Sequence, residues 1–340
     1  MMAPHPSTWL QPRAEGLFCI PGGFYIDPLR AVDRAVITHG HADHARPGHA
    51  QVLASAETLA IMTIRMGPGR AGLTQQAAAM GETIRINDVS LRLVPAGHVL
   101  GSCQIVLDYQ GSRAVVSGDY KRQPDPTCAA FEPVRCDVFI TEATFGLPVF
   151  HHPDAGAEIA RLLASLALFP TRAHLIGAYG LGKTQRLIAL LRQAGYDAPI
   201  YLHGALVKLC ALYEEWGVKL GDLRPATVAE RGALHGAIVL APPSAIADRW
   251  ARRLDDPVVA AASGWMGVRQ RAKASLVELP LVISDHADWA AILATIAQTE
   301  APEIWVTHGA EAALIHQLGT LGLRGRALAL IGYGDDREES

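Results

Sequence analysis

Three imidazoles and a carboxylate crowd into one short stretch, Thr38-His39-Gly40-His41-Ala42-Asp43-His44. The apolar β-branched run Ala35-Val36-Ile37 before it reads as a buried strand, so the polar cluster stands where a strand runs out into a loop. Side chains alternate on an extended backbone, and His39 and His41 therefore point to the same side. Neutral imidazole and ionised carboxylate suit zinc, and a catalytic zinc site keeps a coordination position for water. The order H-x-H-x-D-H is too specific for a solvated turn, and it points to metal-assisted hydrolysis.

Other chemistry-bearing residues also fall at the ends of apolar runs. His98 lies in Pro95-Ala96-Gly97-His98-Val99-Leu100-Gly101-Ser102, Asp119 in Ser117-Gly118-Asp119-Tyr120, and Glu142 in Thr141-Glu142-Ala143-Thr144-Phe145-Gly146. Further on, His286 sits in Ser284-Asp285-His286-Ala287-Asp288-Trp289 and His308 in Thr307-His308-Gly309. Ser102, Lys121, Arg122, Arg269 and Arg271 add hydroxyl and basic groups that could contact a phosphate backbone. Gly177-Ala178-Tyr179-Gly180-Leu181-Gly182-Lys183-Thr184 matches G-x-x-x-x-G-K-T between a strand and a helix, which alone would say ATPase. Against that, the inserted unit around it offers no convincing strand-terminal acidic residue for nucleotide magnesium. A helix N-terminus bearing Lys183 suits a nucleic-acid phosphate instead.

The elements that must position these groups read as follows. Leu17 to Ile20 and Phe24 to Ile26 form a hairpin around Pro21-Gly22-Gly23, and Asp27 follows directly. A helix spans Glu57 to Met66, and hairpins join 82–86 to 89–94 and 103–109 to 113–117. From 147 to 280 helices at Ala155 to Leu168, Thr184 to Ala194, Leu206 to Trp216 and Ala245 to Leu254 alternate with strands at His174 to Gly177, Pro199 to Leu202, Ala237 to Leu240 and Val258 to Ala261. That alternation predicts a parallel sheet with right-handed crossovers. Leu281 to Ile283 is expected to begin a strand returning to the first domain.

The chain has 340 residues, half of them apolar, and a formal net charge of −3, which argues against a general basic coat while leaving room for a local basic cleft. Its five cysteines are scattered without a C-x-x-C pair, so buried free thiols are expected rather than a thiolate metal site. Without signal-peptide features or a membrane-length apolar run, a cytoplasmic protein with no membrane partner is expected.

Taken together, H-x-H-x-D-H and the later His98, Asp119, Glu142, His286 and His308 segments resemble the metallo-β-lactamase superfamily, and within it the β-CASP nuclease subgroup. The resemblance covers nearly the entire chain. It implies an α/β fold: an αββα sandwich in two parts, 1–146 and 281–340, with an inserted α/β cap domain at 147–280. It also implies two divalent metal ions, with zinc favoured and manganese an alternative. The first would be held by His39, His41 and His98, the second by Asp43, His44 and His308, and Asp119 would bridge them. Asp43, Asp119, Glu142 and His286 would then form the catalytic set, His286 donating a proton to the leaving group beside Glu142. Asp27 or Asp33 would orient the metal-binding histidines from behind. Gly118-Asp119-Tyr120-Lys121-Arg122 with Pro124-Asp125-Pro126-Thr127 looks like the bacterial ligase-associated DNA exonucleases. DNA is the implied substrate, RNA the alternative, and a DNA ligase and helicase repair system the implied partner.

Overall fold

A computed structural model describes residues 3–229, 231–268, 270, 273, 277–328. The chain divides into two compact units. Among the described residues, the first takes 3–124, 128–151 and 286–328, and the second takes 125–127 and those within 152–285.

In the first unit, β1 (Leu10–Arg13), β2 (Gly16–Cys19), β3 (Phe24–Ile26), β4 (Arg34–Val36), β5 (Gln51–Ala54) and β6 (Thr74–Ala77) form one sheet in sequential order. Helix α1 (Ala56–Met66) follows β5, capped by Ser55, whose side chain accepts the Thr58 amide hydrogen. β7 (Thr83–Ile86), β8 (Val89–Pro95), β9 (Cys103–Tyr109), β10 (Ser112–Val116) and β11 (Val138–Glu142) belong to a second sheet. The chain rejoins this sheet with two further strands, after the second unit.

The second unit runs α2 (Ala155–Leu168), β12 (His174–Gly177), α3 (Lys183–Gln193), β13 (Ile200–Leu202), α4 (Gly204–Glu215), β14 (Leu223–Pro225), β15 (Ile238–Ala241), α5 (Pro243–Ile246), β16 (Val258–Ala262) and β17 (Leu279–Leu281). Its six strands are all parallel, in the order β14-β13-β15-β12-β16-β17. Two expectations need correction here. The helix expected over Ala245 to Leu254 is only the short α5 followed by a 3₁₀ turn at Ala251–Arg253, and between them the Trp250 ring lies 4.7 Å from that of His203. The strand expected at Leu281 to Ile283 starts earlier and pairs with β16, so it finishes the second unit's sheet. Its Pro280 lacks an N–H and is tolerated because β17 is an edge strand.

The first unit closes with α6 (Trp289–Thr299), β18 (Glu303–Thr307), α7 (Glu311–Thr320) and β19 (Arg324–Ala327). The second sheet then has the order β19-β18-β11-β10-β9-β8-β7. Alternation along its strands fills two separate cores. Leu91, Leu93, Ile105, Leu107, Ala114, Val116, Val138, Ile140 and Trp305 face the first sheet's Leu17, Phe24, Ile26, Val36 and Leu53. The intervening Val106, Val115, Phe139, Ile304 and Val306 pack on Ile292, Ile296, Leu314 and Leu318 of the helices. On the other side, α1 buries Leu59 and Met62 against Ala35, Ile37 and Val52. This is a helix–sheet–sheet–helix sandwich. β10, β11 and β18 run parallel, so the segments that leave their C-terminal ends emerge along one edge.

Candidate metal centre

At that edge the loop after β4 brings His39, His41, Asp43 and His44 together with His98, which follows β8, and Asp119, which follows β10. Donor atoms of His39, His41, His98 and Asp119 all lie within 4.8 Å of one another, as do those of His39, Asp43 and His44. His41 Nδ1 is 2.9 Å from His98 Nε2. Asp119 stands between the two groups, with Oδ2 3.4 Å from His39 Nε2 and Oδ1 3.4 Å from His44 Nε2. The His308 ring lies 5.4 Å from the His44 ring.

One carboxylate sets the tautomers. Asp27 is buried, its Oδ1 accepts the Thr38 amide hydrogen at 2.8 Å, and its Oδ2 accepts from the Thr38 hydroxyl at 2.6 Å. The same Oδ2 is 2.7 Å from His44 Nδ1. An ionised carboxylate only accepts, so His44 carries its proton on Nδ1 and presents a lone pair at Nε2. The Thr38 hydroxyl has given its single hydrogen to Asp27, so at 3.0 Å it accepts from His39 Nδ1–H. His39 Nε2 is thereby left as a lone pair, and it is buried without a hydrogen-bond partner. Such an atom is costly unless an electrophile takes it, which is the physical sign that this donor set fits a metal cation. Asp33 has no such place, because it is exposed. Of the two, Asp27 is the one in contact with Thr38 and His44.

Electrostatics agree with a site prepared for positive charge. Burial alone would push the Asp119 carboxyl up, but the His44 and His39 imidazoles beside it hold it well below the usual carboxylate range. Partial burial likewise pushes half-exposed Asp43 up, and the neighbouring imidazoles outweigh it and bring it to about 2. Burial drives His98 well below its ordinary value and His308 down to about 4, with neighbouring histidine charges adding to both. Both rings are thus neutral, the ligating form.

Next to this centre, His286 Nδ1 is 2.8 Å from Glu142 Oε2, and the His286 ring is 4.8 Å from that of His98. Glu142 is buried and its other oxygen accepts the Tyr120 amide hydrogen at 2.8 Å. Nδ1–H donates to the Glu142 carboxylate, which fixes the ring's orientation. Asp288 caps α6, accepting the Ala291 amide hydrogen at 2.9 Å.

Backbone geometry lets the loops approach. Gly118 has φ +56°, and a Cβ there would come 2.8 Å from Thr38 Cβ, so only glycine lets the Asp119 loop lie on the Thr38 relay. Gly309, at φ +72°, would meet the Ala143 carbonyl oxygen at 2.1 Å, which ties His308 to the Glu142 strand.

Several expected phosphate contacts are corrected by their surroundings. Ser102 is buried, and its oxygen accepts the amide hydrogens of His98 and Val99 at 3.0 and 3.1 Å. Lys121 is buried as well and donates to the His98 carbonyl at 3.2 Å. Both shape the His98 turn. Arg122 donates to Thr295 Oγ1 at 2.9 Å and lies over the Phe131 ring. Lys183 is buried, with Nζ 3.0 Å from Asp285 Oδ2. Arg269 and Arg271 lie outside the described residues. The Thr38 relay was missed by sequence reasoning, although a hydroxyl directly before the first metal-binding histidine was its available signal.

No family model matches the chain. A protein of Opitutus terrae named probable DNA ligase is 25% identical over 323 residues, covering 93% of this chain and 30% of that protein. Endoribonuclease YSH1 of Mycosarcoma maydis is 29% identical over 260 residues, 63% of this chain and 29% of that protein. A probable RNase of Methanocaldococcus jannaschii is 30% identical over 132 residues, 37% of this chain and 30% of that protein. The chain therefore spans under a third of the length of these relatives. A solved Enterococcus faecalis protein of unknown function shares the fold, with TM-score 0.56 and 11% identity over 80% of this chain and 74% of its own. The sandwich, the His/Asp cluster and these relatives are consistent with the resemblance to the metallo-β-lactamase superfamily and its β-CASP subgroup.

Proposed function

We propose that this chain is a metal-dependent nuclease, an exonuclease that trims DNA ends for a ligase-based repair system. The observation that carries the reading is a second, separate device beside the metal cluster: His286 on Glu142 at 2.8 Å. A cluster alone suits hydrolysis of many substrates. A cluster with a proton donor beside it suits a substrate whose leaving group is a poor alkoxide, as in a phosphodiester.

His39, His41 and His98 would hold one divalent ion, Asp43, His44 and His308 the other, and Asp119 both. When bound, the pair supplies Lewis-acid polarisation of the phosphoryl group and a lowered water pKa. Zinc matches the imidazoles, and manganese the more carboxylate-rich second position. The chain's own part is to fix tautomers through Asp27 and Thr38 and to hold a proton at His286 Nε2 for the departing oxygen.

DNA as substrate is supported by the breadth of the likeness to the probable DNA ligase, which runs over 93% of this chain. The relatives named endoribonucleases favour RNA as the second reading. Digestion of 5′- and 3′-end-labelled single- and double-stranded DNA and RNA separates the two. We expect stepwise mononucleotide release from DNA ends. Preferred internal cuts in RNA would replace this reading with the second.

A further inference from the structure

Within the second unit the G-x-x-x-x-G-K-T turn has filled its own donors: the Gln185 side chain accepts the Gly182 amide hydrogen at 2.8 Å, and the Thr184 hydroxyl donates to the Tyr179 carbonyl at 2.7 Å. A helix of the first unit spends its polar groups on the candidate metal centre instead. Helix α1 buries Thr58, Leu59, Ile61 and Met62, and Arg65 follows on the same face, about two turns after Thr58. A cation there interrupts the buried stripe. Its Nη1 donates to the Gly40 carbonyl at 2.5 Å, and Gly40 is buried between His39 and His41. The neighbouring carbonyls are held by backbone groups: that of Thr38 accepts the Cys103 amide hydrogen at 2.9 Å, and that of His41 accepts the Ala45 amide hydrogen at 2.7 Å. The Gly40 carbonyl has the Arg65 guanidinium, a charged donor whose hydrogen bonds are roughly twice as strong as neutral ones.

At its other end α1 holds a second loop of the same ligand set. The Ser55 and Thr58 hydroxyls both donate to the Gly101 carbonyl, at 2.7 and 3.1 Å. Gly101 stands in the turn where Ser102 accepts the amide hydrogens of His98 and Val99. An α-helix rises about 1.5 Å per residue, so Thr58 and Arg65 are about 10 Å apart along one rigid rod. That rod ties the His98 turn to the His39–His41 loop, and the two loops meet where His41 Nδ1 lies 2.9 Å from His98 Nε2. All of these groups lie within the first unit. We propose that α1 is a brace across the first ion's ligand loops and that Arg65 is its positioning residue: by holding the Gly40 carbonyl it fixes the His39 and His41 rings relative to His98. This deepens the function proposed above and rests on His39, His41 and His98 holding one ion.

The test is metal binding, read apart from activity. Metal-stripped protein is titrated with zinc against a chelating dye, and His98→Ala and His308→Ala identify which binding step belongs to which ligand set. Arg65→Met keeps the apolar stem and removes the donors. It is expected to weaken the step that His98→Ala abolishes by about 10- to 100-fold, the cost of losing a partner that orients metal ligands, and to leave the step lost in His308→Ala unchanged. Arg65→Lys, with a charge and a donor on a shorter stem, should recover part of that loss. A merely structural arginine would lower the melting temperature and leave both steps alone or weaken them equally, and either result overturns the brace. So does unchanged zinc binding with a raised KM for DNA and a reduced salt dependence, which would make Arg65 a phosphate contact. If Arg65→Met does not fold, Thr58→Val, which removes a hydroxyl from the other end at nearly constant shape, is read by the same two steps, with a smaller loss because Ser55 still holds Gly101. Wild-type protein that binds no zinc removes the ion reading and the brace with it. Two ions in the wild type, with both steps unchanged in Arg65→Met, reject the brace alone.

Discussion

Two stretches of this chain carry motifs of comparable specificity, and their fates differ. Thr38 to His44 and Gly177 to Thr184 both follow a buried strand and are rich in groups that bind ions or phosphates. In the first, hydrogen bonds to Thr38 and Asp27 occupy the far nitrogens of the His39 and His44 rings, and the near ones converge on common points. In the second, the same kinds of bond consume the groups that a nucleotide would need. A motif specifies residue types and spacing. Which side of each group its neighbours satisfy decides whether a ligand can use the other.

The largest effect that sharpens this contrast is expected at Asp119, the carboxylate shared between the two donor groups. Asp119→Ala should abolish nuclease activity and lower bound metal while circular dichroism shows the fold intact. Undiminished activity would mean that the two groups do not work as one centre. A smaller loss is expected for Asp27→Ala, which removes the acceptor of His44 and of the Thr38 relay. Loss of such an outer partner costs about 10- to 100-fold in metal affinity, measurable by competition with a chelating dye. Unchanged affinity would show that the tautomers are set elsewhere. The smallest effect is a null one: magnesium ATP should be neither hydrolysed nor raise the melting temperature. Saturable stabilisation by ATP would break the comparison, because it would show that the Lys183 turn opens.

Much of the candidate site was legible because its residues stand at strand ends, where apolar runs stop abruptly and polar groups remain. His98, Asp119, Glu142 and His308 were each found that way, as was the alternating pattern of the second unit's helices and strands. Side-chain direction was not legible. Ser102 and Lys121 read as rim groups, but Gly97 and Gly101, at φ +74° and +73°, fold the His98 turn back so that both side chains close onto it. Nor could spacing show that Lys183 would meet a residue some hundred positions later, since a tertiary ion pair leaves no local pattern. The choice between Asp27 and Asp33 also needed the fold: β3 and β4 pair in parallel, which brings the end of β3, and so Asp27, beside Thr38.

The central claim is that the His/Asp cluster holds a pair of ions on which phosphodiester cleavage depends. Metal-stripped protein titrated with zinc or manganese, with metal content and release of labelled mononucleotides from DNA ends followed together, tests it most directly. The account predicts no cleavage in the stripped protein and recovery that saturates at about two ions per chain, as a two-metal centre requires. Cleavage that persists without metal, or full recovery at one ion per chain, would contradict it.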